Sequence, residues 1–157
     1  SPYRVTFNAM VSNVTTLNAH ACNFNGGLVN PFGATLLLNG DLNYTQTLVS
    51  SGFTNEGLIE VKGVGHVFTV QGTLVNAPTG QIVARRDGDS FLNRTLNATV
   101  LNNQGTITSV DVSNLYLGGF SPTVINSGTI NIQSGNAKIV INVRVASVVL
   151  SIGGLPG

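Results

Sequence analysis

The chain has little charge. Only 8% of its 157 residues are Asp, Glu, Lys or Arg, and seven basic against six acidic residues leave a formal net charge of +1. Such a surface has no field with which to gather a polyanion or an acidic membrane, so nucleic-acid binding is disfavoured. Tryptophan is absent, and a single cysteine, Cys22, excludes an internal disulfide. Cys22 is expected to act as a small buried hydrophobe. No apolar run reaches the roughly 18 residues of a membrane span; the nearest, from Lys138 to Ile152, is interrupted by Lys138, Asn142, Arg144 and Ser147. The two histidines, His20 and His66, show no ligand spacing, and no phosphate loop or dinucleotide motif occurs. No metal or cofactor is therefore expected.

What is present is apolar and turn-rich. The chain holds 19 Gly, 19 Asn and 42% apolar residues, more apolar matter than a disordered chain carries. Asn and Gly suit tight turns, whereas Val, Ile and Thr suit strands, so short strands joined by frequent turns are expected. The length fits one domain, residues 1–157.

Five glycines recur at intervals of 24, 23, 25 and 23 residues: Gly33, Gly57, Gly80, Gly105 and Gly128. Four are followed two positions later by isoleucine, namely Ile59, Ile82, Ile107 and Ile130. Aligned on the glycine, LVNPFGATLLL, FTNEGLIEV, LVNAPTGQIVA, VLNNQGTITS and VINSGTINI each read as apolar, Asn, turn, Gly, strand. Positions two and four after the glycine (Thr35 and Leu37 in the first segment, Ile130 and Ile132 in the last) form the set expected to face inward. Positions one and three are more polar and should face outward.

This pattern predicts an all-β, single-stranded parallel β-helix, or solenoid, with coils of 23–25 residues. A helical repeat would show three-and-four spacing, which is missing. The rival is an antiparallel β-sandwich, since regularly spaced short strands also fit that class. Residues 1–27 lack a clear unit and are expected to form a first irregular coil or an N-terminal cap. Residues 138–157 begin with a long alternating stretch, 138–152, that could cap the far end or pair with another subunit. An uncapped end coil would offer a second route to a homo-oligomer.

The segments VINSGTINI, VLNNQGTIT and LVNAPTGQIVA resemble the Asn-Gly-Ile repeats of filamentous haemagglutinin-like and autotransporter passenger proteins. The resemblance covers about two thirds of the chain, residues 28–132. It implies a secreted or surface-displayed right-handed β-helix, commonly an adhesin.

Functional candidates are few. Asp87-Gly88-Asp89 beside Arg85 and Arg86 is the best enzyme-like cluster, because sugar hydrolysis needs two carboxyl groups. Counted from the glycines, His66 and Asp89 stand at equal offsets, which could bring an acid–base pair together in adjacent coils. The same counting stacks Lys62 on Arg85, a like-charge contact that should loosen the ladder into a loop. Tyr44, Phe91, Tyr116 and Phe120 are candidates to line a sugar-binding surface. Sequons at Asn13, Asn43, Asn93 and Asn97 occur no more often than chance supplies in so Asn-rich a chain. Thr106, Thr108 and Thr129 suggest a threonine-rich outer face, interrupted by Gln81, Glu60 and Leu36.

The expected function is a non-catalytic extracellular or cell-surface segment, an adhesin or structural stalk, whose partner is a surface or matrix glycan or protein. A carbohydrate-binding module is the near alternative, and a polysaccharide lyase or glycoside hydrolase on a β-helix is the enzyme alternative.

Overall fold

The computed structural model describes residues 4–39, 46–62, 66–85, 93–110, 115–118, 123–133 and 139–141. The first coil carries β1 (Val5–Phe7), β2 (Val11–Ser12) and β3 (Thr16–Ala19), and the second β4 (Cys22–Phe24), β5 (Leu28–Val29) and β6 (Thr35–Leu38). The third carries β7 (Gln46–Val49), β8 (Phe53–Asn55) and β9 (Leu58–Val61). In the fourth and fifth coils one long strand runs over two faces before the next: β10 (Val67–Asn76) then β11 (Gln81–Arg85), and β12 (Arg94–Asn103) then β13 (Thr106–Val110). The sixth holds β14 (Leu115–Gly118), β15 (Thr123–Asn126) and β16 (Thr129–Gln133), and β17 (Ile139–Ile141) begins a further turn.

Every strand pairing among the described residues is parallel, each strand lying on the corresponding strand of the coil before it. The chain is a parallel β-solenoid, and the sandwich is excluded. Period-two alternation is what permits the stack, because the inward face of the strands is mostly apolar and meets its equivalent one coil away. Leu36, Ile59, Ile82, Ile107 and Ile130 form one such row, in register and buried throughout. Phe53, Leu74, Leu101 and Val124 form another. Each side chain so enclosed contributes about 1.5–3 kcal/mol relative to exposure. Aromatic pairs add to this core: Phe7 stacks on Phe24 at 5.2 Å between ring centroids, and Phe53 meets Phe68 edge-on at 6.0 Å. Cys22 is buried as expected, and burial pushes its thiol up from the ordinary value, with the His20 main chain opposing that shift.

Two expectations need correction. Gly33 is not the equivalent of the other four glycines. Leu36 pairs with Ile59 and Thr35 with Leu58, so Ala34 occupies the place that Gly57 takes one coil on. The inward residues of that strand are consequently Leu36 and Leu38, with Thr35 and Leu37 outside; Leu36 therefore does not interrupt the outer threonine face. Second, Ile132 is 40% exposed, because β16 is the last strand of its sheet among the described residues and nothing there covers it. At Lys62 and Arg85 the pairing of β9 with β11 has already ended, its last pair being Val61 with Ala84. Glu60 stands between the cations, 2.9 Å from Arg85 Nε and 3.5 Å from Lys62 Nζ, and the next pairing runs on through Arg85 and Val110.

The four equivalent glycines are required by closeness. None of Gly57, Gly80, Gly105 or Gly128 has a positive φ. A Cβ at Gly105 would lie 2.2 Å from the Gly80 carbonyl oxygen, and one at Gly128 would lie 2.1 Å from that of Gly105. Gly33 differs in kind: its φ is 83°, and a Cβ there would meet nothing within 4 Å.

Candidate functional site

Beside these glycines runs the chief polar feature of the interior. Asn13, Asn30, Asn55, Asn76, Asn103 and Asn126 are stacked, each carboxamide Nδ2 donating to the Oδ1 of the next at 2.7, 2.7, 2.8, 2.7 and 2.6 Å in turn. The first five are buried. Most of these amides also donate to main-chain carbonyls of their own or the following coil, as Asn76 does to Gly80 and Thr106, both at 3.2 Å. The Asn main-chain oxygens in turn accept N–H groups from the following turn: Gln104 and Gly105 both donate to the Asn76 carbonyl. The turns thus have their otherwise orphaned backbone groups satisfied inside the stack. An asparagine before each glycine is visible in the sequence, but Asn13 lies only 17 residues before Asn30, outside the 23–25 residue period.

The sequon at Asn13 is accordingly occupied by structure: Nδ2, the atom a glycan would take, donates to Asn30 Oδ1 and to the Thr35 carbonyl at 2.8 Å. Asn97 is half-buried on an outer face, Asn93 is exposed, and Asn43 lies outside the described residues. Asp87 and Asp89 also lie outside them, as do Tyr44, Phe91 and Phe120. Tyr116 is half-buried on the outer side of β14, paired with Thr95 and Val140.

His66 faces inward and is fully enclosed, at 0% exposure, just before β10. Register places it beside Arg94, also buried, whose Nη2 donates to the Lys62 carbonyl at 2.8 Å. Neither ring nitrogen of His66 meets a hydrogen-bond partner among the described residues. Burial lowers its pKa to about 4; the Asn39 main chain, near but outside bonding geometry, opposes the shift, and His20 and Arg94 add to it. The ring is neutral near pH 7 and sits in the wall of the stack.

On the outside, two shallow grooves are found among the described residues. One, of about 210 Å³, lies at the glycine corner, where Phe32, 77% exposed, stands with Glu56, Thr79 and Gln81. The other, of about 300 Å³, lies on the face made by β7, β10 and β12 and is lined by Gln46, Thr69, Gln71, Asn97 and Thr99. No group of three or more His, Cys, Asp or Glu side chains able to hold a metal ion occurs among the described residues. No helix there is long and apolar enough to cross a membrane.

Compared with known proteins, the chain matches no family model, no curated protein and no solved structure. Its site must be read from its own geometry.

Proposed function

We propose that this chain is a rigid, non-catalytic segment of an extracellular or cell-surface protein, an adhesin or stalk of the kind that haemagglutinin-like and autotransporter repeats build. The observation that carries this reading is the unbroken line of asparagine bonds through six coils. Such a line ties each coil to the next by directional bonds as well as apolar contact, and its product is a stiff stack with long side faces. Contact would be made by outward polar and aromatic side chains repeated along that stack, so weak individual contacts would add. At the N-terminal end of the described stack Val5, Met10 and Val14 are exposed, which favours end-to-end contact with a further coil or a second copy.

A carbohydrate-binding module remains the second reading, favoured by the uncharged groove on the β7–β10–β12 face. The enzyme alternative gains less, because acid–base work by His66 would need its ring to reach a substrate and the ring is enclosed.

The test is a screen of the purified chain against glycans, whole polysaccharides and matrix proteins, with release of reducing or unsaturated ends measured in parallel. Binding without product is the expected result. Catalytic release of ends from any polysaccharide would overturn the proposal.

A further inference from the structure

Between the fourth and fifth coils the ladder departs from regularity on the outer surface. Val70 pairs with Ala98 and Thr73 with Val100, so β10 carries one more residue than β12 where both bend from one face to the next. Gly72, with φ of 144°, takes the backbone conformation that this bulge requires. A bulge bends its strand and re-aims the side chains around it. Here the bend opens the groove of about 300 Å³, a volume at the small end of ligand sites.

The lining is selective in its chemistry. Gln46, Gln71 and Asn97 bring carboxamides and Thr69 and Thr99 bring hydroxyls, from three successive coils, while Val70 and Ala98 point inward beneath. Gln46 Nε2 donates to Thr69 Oγ1 at 3.3 Å, tying one coil's amide to the next coil's hydroxyl. No charged side chain lines the groove. Carboxamides and hydroxyls each donate and accept, the pairing that sugar hydroxyls require, whereas an anion would call for a cation. An extended peptide would need a free strand edge, and β7, β10 and β12 are paired on both sides. Beyond Asn97 the next residue in register is Gly118, which has no side chain, and Tyr116 stands two positions before it in β14. Tyr116 is thus on the neighbouring strand but outside the groove's lining, and the row beyond Asn97 is left open by Gly118.

We infer that this groove is a subsite for an uncharged pyranose of a glycan chain, with Gln71 and Asn97 as its hydrogen-bonding residues. The inference rests on the adhesive reading of the chain. It assigns the binding to one place on one face and to neutral sugars.

The test uses the full chain produced in a bacterium without N-glycosylation, so that Asn97 is bare. Neutral gluco-, xylo-, manno- and galacto-oligosaccharides, with an oligogalacturonate as the acidic control, are titrated while backbone amide shifts are recorded. A neutral oligosaccharide is expected to move the amides of Thr69 to Gln71 and Asn97 to Thr99. Gln71→Ala and Asn97→Ala, both outside the core, should each weaken that binding about fivefold, the loss of one net hydrogen bond. Phe32→Ala, at the other groove, should leave it unchanged. Unaltered thermal unfolding certifies the fold of each variant, and Thr99→Ala replaces any variant that fails this check. The inference is overturned if no neutral sugar binds, if the acidic sugar binds better, or if the shifts gather at Phe32 and Thr79. Adhesion to a glycan surface that survives both groove variants would overturn the groove while leaving the adhesive reading in place.

Discussion

Replacing Asn76 by alanine should remove more stability than its size suggests. The Asn76 amide donates to Asn103 Oδ1 at 2.7 Å and to the Gly80 and Thr106 carbonyls at 3.2 Å, and its Oδ1 accepts from Asn55 at 2.8 Å. Asn55 keeps two other acceptors, the Gly57 and Gln81 carbonyls, so its donor side is partly spared. Asn103 Oδ1 is left buried and loses the donor that Asn76 supplies. Stranding that acceptor costs about 1–3 kcal/mol, and the two amide N–H groups, which share three acceptors, and the Oδ1 contribute about 1 kcal/mol each, so a total of about 4–6 kcal/mol is expected. The control is Asn126→Ala at the last described rung, which is half-buried and reachable by water; about 1 kcal/mol is expected there. Urea unfolding followed by far-ultraviolet circular dichroism gives both values from the shift in midpoint at constant slope. Equal losses at the two positions would refute the idea that buried bonding in the ladder, and not mere side-chain volume, joins the coils.

Two further outcomes follow from the same geometry. Gly105→Ala puts a methyl 2.2 Å from one carbonyl oxygen and 2.3 Å from another, so the coils must part and about 3 kcal/mol or more is lost; Gly33→Ala meets no atom and loses only about 1–2 kcal/mol, from its positive φ. Midpoints from thermal or urea unfolding check the order, and reversal of it would show that the glycines serve turn conformation after all. His66 has a folded pKa of about 4 against 6.5 when exposed, so between these values the unfolded chain binds the extra proton and stability falls with falling pH, levelling off below about pH 4. From pH 7.5 to 5 the loss assigned to His66 is about 2 kcal/mol. It is measured as the difference in pH dependence between the native chain and His66→Met, and parallel curves would refute it.

The rows Ile59, Ile82, Ile107 and Ile130 are legible in the sequence because β-strand alternation has a strict period of two and their spacing repeats. Gly33 misleads because an anchor chosen by residue type conflates two physical demands, a positive φ at Gly33 and close approach at Gly57. A one-residue slip of the anchor exchanges the faces of a whole strand, so counting from Gly33 places Leu36 outside where the structure buries it. Counting from glycines aligned His66 with Asp89, yet the facing of His66 follows its strand parity with Phe68 and Val70, both buried. Glycine counting brings Lys62 and Arg85 together as like charges, but it does not show Glu60, two residues before Lys62, which pairs with both. The groove was invisible for a different reason, since it arises from a bulge that unequal coil lengths create at one bend.

The recurrent asparagine and the recurrent glycine are two halves of one device. A Cβ at Gly80 would fall 2.4 Å from Asn76 Oδ1, and one at Gly105 would fall 3.0 Å from Asn76 Nδ2, so the carboxamide occupies the space that each glycine leaves open. Only with a bare Cα at the turn can the amide bridge its own coil and the next, and only with the amide there are the turn's buried polar groups bonded. The interior chemistry of the chain is thereby committed to holding coils together. On the proposed adhesive reading, recognition falls to the outer faces, where the repeat imposes no residue type and where the bulge at Gly72 breaks it.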